Sequence, residues 1–119
     1  MSALVFGPRK INMLRRVAIP RAIGKATGLT PGAWAVVSSH YRDQSVLVIR
    51  PVAADALGRN RSDPQRPRRI SDSGQLTLPS VLMSYAGFTV GGWVAFAYGH
   101  RSVQVFAAQR VAGPTLGRL

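Results

Sequence analysis

The chain has 119 residues, which fits one compact domain or two very small ones. Sixteen Lys and Arg face four Asp, a formal net charge of +12, while hydrophobic residues make up 46% of the chain. That combination excludes a disordered polar tail and favours a folded protein with a polyanionic partner, nucleic acid first and an anionic membrane surface second.

Residues 1–9 hold no long apolar run and read as no signal peptide. No stretch reaches the roughly 20 apolar residues of a membrane-spanning helix. The expectation is a cytoplasmic, nucleoid-associated protein with no membrane partner. Residues 10–14 and 16–19 read as two short strands. Pro20 ends the second and suits the first turn of a helix, where its missing N–H costs nothing. A helix is expected over residues 21–27, stopped by Gly28 as a left-handed cap. Leu29-Thr30-Pro31-Gly32 then turns into a strand over 33–39, joined to another over 45–50 by a loop at 40–44. Residues 52–67 form a polar, Pro-containing cationic linker without periodicity. The series then recurs: strands over 70–73 and 75–78, Pro79, a helix over 80–86, Gly87, the turn Phe88-Thr89-Val90-Gly91, and strands over 92–98 and 102–107 around a loop at 99–101. A Gly/Pro-marked tail over 109–119 is expected to fray.

The recurrence is an internal repeat. An offset of 59 residues lays Ile11 on Ile70, Val17 on Leu76, Ile19 on Leu78, Pro20 on Pro79, Gly28 on Gly87, Gly32 on Gly91 and Trp34 on Trp93. Beyond Arg42 and Arg101 the register shifts by two residues, so that Val46 and Val48 meet Val103 and Val105. A unit of this size buries too little surface to stand alone, so the copies are expected to share one core.

Asp72-Ser73-Gly74-Gln75-Leu76-Thr77-Leu78-Pro79, a helix, and then Gly87-Phe88-Thr89-Val90-Gly91-Gly92-Trp93-Val94 resemble the AbrB/SpoVT/MazE family. The first copy matches more loosely, through Arg9-Lys10-Ile11-Asn12-Met13-Leu14-Arg15-Arg16-Val17-Ala18-Ile19-Pro20 and Gly28-Leu29-Thr30-Pro31-Gly32. The resemblance implies a mainly β fold with one short helix per repeat: a swapped-hairpin β-barrel closed within one chain as an intramolecular pseudo-dimer, as in tandem MraZ-type members. The implied organisation is a first repeat at 9–51, the linker at 52–67, a second repeat at 68–108 and the tail at 109–119. Departures exist. The first copy has Met13 and Arg15 where the second has Asp72 and Gly74, and Ala33 and Gly92 stand where the family carries an acid.

The resemblance also implies a function: a bacterial transcription regulator that binds double-stranded DNA with sequence preference through a basic β-hairpin face. Arg9 and Arg16 match family positions that lie against DNA. Between Arg9 and Lys25 the first copy carries Arg9, Lys10, Arg15, Arg16, Arg21 and Lys25 with no acid, so it is expected to make the larger part of the contact. Arg68 and Arg69 would extend it, and Arg59, Arg61 and Arg66 in the linker could clamp the duplex. Arg15 and Arg16, at the bend, are the candidates for base edges, the other contacts going to phosphates. A solvated strand face is the bland alternative for this run. Competing functions are a MazE-type antitoxin or protein-interaction module, and a non-specific nucleoid or RNA binder. A homodimer or higher oligomer is left open.

Little else carries chemistry. Two His, no Cys and no Glu make a poor metal set and a poor acid–base pair, so no catalysis, cofactor or small-molecule substrate is expected. Asp72 is expected to order its turn. Trp34 and Trp93 are expected to pack in the core or an interface, base stacking being the alternative.

Overall fold

The computed structural model describes residues 5–53, 63–99 and 101–111. Four strands each turn one face to the core cluster: Ala35 and Val37 in β3 (Trp34–Ser39), Leu47 and Ile49 in β4 (Val46–Val52), Val94 and Phe96 in β7 (Trp93–Gly99), and Val103 and Val105 in β8 (Ser102–Ala107). Together with β1 (Val5–Lys10) and β5 (Arg68–Arg69) they form one curled antiparallel sheet in the order β1-β7-β8-β4-β3-β5. Two three-residue strands, β2 (Arg16–Ala18) and β6 (Gln75–Thr77), pair with each other as a second sheet. Helices α1 (Arg21–Thr27) and α2 (Ser80–Ala86) pack their Ile23, Leu82, Met83 and Ala86 onto the same core, and α3 (Ala108–Val111) follows β8. The protein is mainly β, an antiparallel half-barrel with short helices.

Among the described residues only the β3–β4 and β7–β8 hairpins pair within one half of the chain. β1 pairs with β7, β5 with β3, β2 with β6 and β4 with β8, all across halves. The repeat is visible bond by bond. Ile11 N donates to Gly92 O at 2.9 Å and Ile70 N to Ala33 O at 2.8 Å; Gly91 N donates to Ile11 O and Gly32 N to Ile70 O, both at 2.8 Å. Every one of these bonds joins opposite halves, and each has its counterpart 59 residues along the chain. The helix starts and stops also recur: Pro20 and Pro79 precede the helices, and Gly28 (φ 81°) and Gly87 (φ 75°) close them in the left-handed region.

Several expectations need correction. Residues 11–14 and 70–73 are not strands. The first strand of each half ends at Lys10 or Arg69, and residues 12–15 and 71–74 are turns. β1 begins at Val5, outside the expected unit of 9–51, because its partner β7 lies in the other half and lends it a ladder that no local pattern reports. A β-bulge between Phe6 and Arg9 further blurs its alternation. After β3 the offset between copies changes by three residues, not two. Val37 faces Ile49 and Phe96 faces Val105, so Leu47 and Ile49 correspond to Val103 and Val105. A single-residue slip exchanges the two faces of a strand, and Val46 and Val48 accordingly lie outside the main core cluster, Val46 buried and Val48 half-buried on the other face. The tail begins with a helical turn rather than fraying from residue 109. Residues 112–119 and most of the linker, 54–62, lie outside the described residues.

The facing of β4 is testable. Ile49→Ala is expected to lower the unfolding free energy by about 2–5 kcal/mol, read from urea midpoints, because the side chain is fully buried. Val48→Ala, on the other face, is expected to cost about 1 kcal/mol or less.

Candidate nucleic-acid interface

Two matched turns project from the junction of the halves. In the first, Asn12 Oδ1 accepts from the backbone N–H groups of Leu14 and Arg16, both at 2.9 Å, while Arg15 N donates to Asn12 O and Asn12 N to Arg16 O, both at 3.0 Å. In the second, Ser71 Oγ accepts from Gln75 N at 3.0 Å, and Gly74 N and Ser71 N make the counterpart backbone bonds at 2.9 Å. Short side-chain oxygens are what such turns need. The fourth residue is left-handed in both, Gly74 at φ 81° and Arg15 at φ 60°. Glycine takes that conformation freely, whereas a non-glycine residue there costs about 1–3 kcal/mol.

Each turn is fastened to the opposite half. Leu78 N donates to Arg15 O at 2.8 Å and Ile19 N to Gly74 O at 3.0 Å. Arg15 adds a bond of its own, Nε to Leu78 O at 3.2 Å. Its guanidinium thereby comes near Arg68, whose Nη1 donates to Pro64 O at 2.8 Å. Partial burial, with Arg66 and then Arg15 adding like-charge repulsion, lowers the Arg68 pKa to about 10; Asp63 opposes the shift. Arg68 therefore stays charged at neutral pH, in a pocket of positive potential that an anion would relieve. Arg16 is exposed on β2, opposite Thr77, at the foot of the same turn.

The second turn has different neighbours. Asp72, Ser73 and Gly74 share a cleft of about 350 Å³ with Arg21, Lys25, Leu29 and Thr30 of the first half. Arg69 Nη2 meets Asp72 Oδ1 at 3.1 Å, an ion pair at the surface. At the sheet edges, Lys10 is exposed opposite Trp93, and half-buried Arg9 lies opposite Val94 with Nη1 donating to Pro8 O at 3.1 Å.

The expected site residues are thus sorted by the interlock, not by copy. Arg15, Arg16, Arg66 and Arg68 gather about the first turn, Arg21, Lys25 and Arg69 about the second, and Arg9 and Lys10 lie along β1. The first copy does not present its six cations as one patch: α1 carries Arg21 and Lys25 to the turn of the second copy. Arg59 and Arg61 lie outside the described residues. The tryptophans lie outside the core, which leaves an interface or base stacking among the expected roles. Trp93 is 50% exposed and Trp34 only partly buried, and neither belongs to the core cluster. Their registers place them beside cations, Trp93 beside Lys10 and Trp34 beside Arg69.

Sequence reasoning missed two residues. Met13 and Leu14, read as strand, are the tip of the first turn and lie 88% and 61% exposed. The signal available was Asn12, a residue that favours turns through its side-chain oxygen. Among the described residues no three His, Cys, Asp or Glu side chains gather where a metal could sit. No described helix is long and apolar enough to cross a membrane.

No family model matches the chain, and no curated protein does. Among solved structures it is similar to the solution structure of PHS018 from Pyrococcus horikoshii, at 15% identity and a TM-score of 0.39, over 90% of this chain and 91% of that one.

The left-handed Arg15 separates conformation from contact. Arg15→Gly is expected to keep the unfolding free energy within about 1 kcal/mol of the parent, since relief of backbone strain offsets the lost bond to Leu78. Arg15→Ala keeps the strain and loses the bond, and is expected to cost about 1 kcal/mol by denaturant titration.

Proposed function

We propose that the protein is a sequence-preferring double-stranded DNA-binding protein and a transcription regulator, working by binding rather than by turnover. In this reading the strand exchange is that of a swapped-hairpin barrel of the AbrB/SpoVT/MazE kind, closed by two repeats in one chain. The observation that carries it is the grouping of Arg15, Arg66 and Arg68 beside the first turn, where half-buried Arg68 has two like charges and one acid, Asp63, for neighbours. Grouped like charges repel one another, and a polyanion that neutralises them relieves that repulsion. Arg16 beside them supplies an unencumbered guanidinium, the group best suited to bidentate contact with phosphate or guanine.

Duplex recognition also accounts for the spread of charge. A phosphate backbone presents a line of anions, not a point. Cations at two turns and along β1 suit an extended contact better than a single anionic ligand, and the surface helices carry no acid in their first turns to oppose it. Most of these contacts would set register, leaving Arg15 and Arg16 for base edges.

Mobility shifts on genomic fragments test the reading. Log affinity is expected to fall against log salt with a slope steeper than about −4, which corresponds to some five or more neutralised phosphates. Absence of binding at about 50 mM salt rejects it, and equal affinity for random duplexes shifts the reading to a non-specific nucleoid protein. Asp72→Asn releases Arg69 from its ion pair and is expected to tighten duplex binding by about two- to fivefold at low salt, the worth of an exposed pair.

A further inference from the structure

The tips of the two turns are chemically opposite. In the second turn the tip residues are Asp72 and Ser73, both exposed, as a solvated turn ordinarily is. In the first, the same positions hold Met13 and Leu14, 88% and 61% exposed. Single exposed apolar residues are common on protein surfaces and need no explanation. Two adjacent ones at the apex of a turn are different, because the twin turn makes the counterpart backbone bonds and one counterpart side-chain bond with polar residues at its tip. The fold does not need Met13 and Leu14 where they stand.

The apex is also rigid. Four hydrogen bonds close the turn on Asn12, and two more, from Leu78 N and to Leu78 O, fasten Arg15 to the opposite half. A held apolar point loses little conformational entropy when it enters a second apolar environment. Arg15 and Arg16 follow it directly in the chain, and Arg68 lies near Arg15 with Arg66 and Asp63 near it in turn. The tip is therefore an apolar point set in a cationic collar.

We propose that Met13 and Leu14 form a wedge that enters a base-pair step of bound duplex, partly unstacks it and kinks the DNA, while the surrounding arginines hold the flanking phosphates. The proposal rests on the duplex-binding reading above. Unbranched or singly branched side chains such as Met and Leu are the kind that enter base steps, and the arginine collar supplies the phosphate contacts that position them. An anionic bilayer would also attract a cationic apolar tip. Two side chains on one turn, however, bury far fewer methylene groups than the amphipathic face or paired lipid anchors that stable membrane attachment takes.

The experiment uses the full-length protein and an end-labelled duplex of about 30 bp carrying its selected site, with bending read by fluorescence energy transfer. Unaltered protein is expected to bend the bound duplex by an angle in the range of roughly 20–90°. The double substitution Met13→Ser with Leu14→Ser is expected to leave the bound duplex straight and to weaken binding about tenfold, with an unchanged salt slope because the phosphate contacts remain. An unchanged melting temperature checks that the turn still forms. Exchanging the two residues, Met13→Leu with Leu14→Met, is expected to retain the bend. A duplex left straight by the unaltered protein, or bent equally by the serine variant, overturns the wedge while duplex binding stands. A protein that binds no duplex overturns both. Loss of sedimentation with phosphatidylglycerol vesicles in the serine variant, with bending unchanged, assigns the tip to a membrane and likewise overturns the wedge.

Discussion

The pairing of Arg16–Ala18 with Gln75–Thr77 is the constraint on which the remaining structure depends. Three residues make no sheet by themselves, and their N–H and C=O groups must find partners once buried. Each strand finds its ladder partner in the other half of the chain. Val17 and Leu76, facing partners in this ladder, are both fully buried and join the two helices and the two hairpins in one apolar cluster. Neither half could close such a core alone, since the strands that would cover it belong to its counterpart.

This exchange decides where the charges stand. Along the sequence the first half holds an acid-free run of six cations, and the second half looks weaker. In space α1 carries Arg21 and Lys25 beside the turn at Gly74, and β5 carries Arg68 beside Arg15. The positive surface is built jointly. A count of charges by segment describes composition, whereas electrostatic potential follows distance, and here the two diverge because consecutive elements pair with distant ones.

Much of the fold was legible in the sequence where local chemistry governs. Pro20, Gly28, Pro79 and Gly87 marked both helices, since the starts and stops of helices follow from backbone conformations that only a few residues accept. The repeat was legible too, because its glycines recur at positive φ. Strand ends were less so. Residues 10–14 look like half of a hairpin, yet β1 and β2 belong to different sheets, and no local pattern encodes a partner some eighty residues away. The offset after β3 was misjudged for a related reason: Val46-Leu47-Val48-Ile49 is apolar throughout, so alternation could not say which pair faced inward until Val37 and Ile49 were seen opposite each other. Of the interface, the cations were legible as cations, but their grouping was not. Met13 and Leu14 passed as strand because apolar residues at a turn contradict the usual polarity of turns.

The connection from Val37 to its partner Ile49 is three residues longer than that from Phe96 to Val105, and the paired turns differ in charge and polarity. A complex of two identical chains must present the same face twice and is suited to a palindrome. Joining the halves in a single polypeptide removes that requirement, and each half is then free to drift in its own direction. The outcome is a body with a head and a tail, whose two ends differ in shape and in charge.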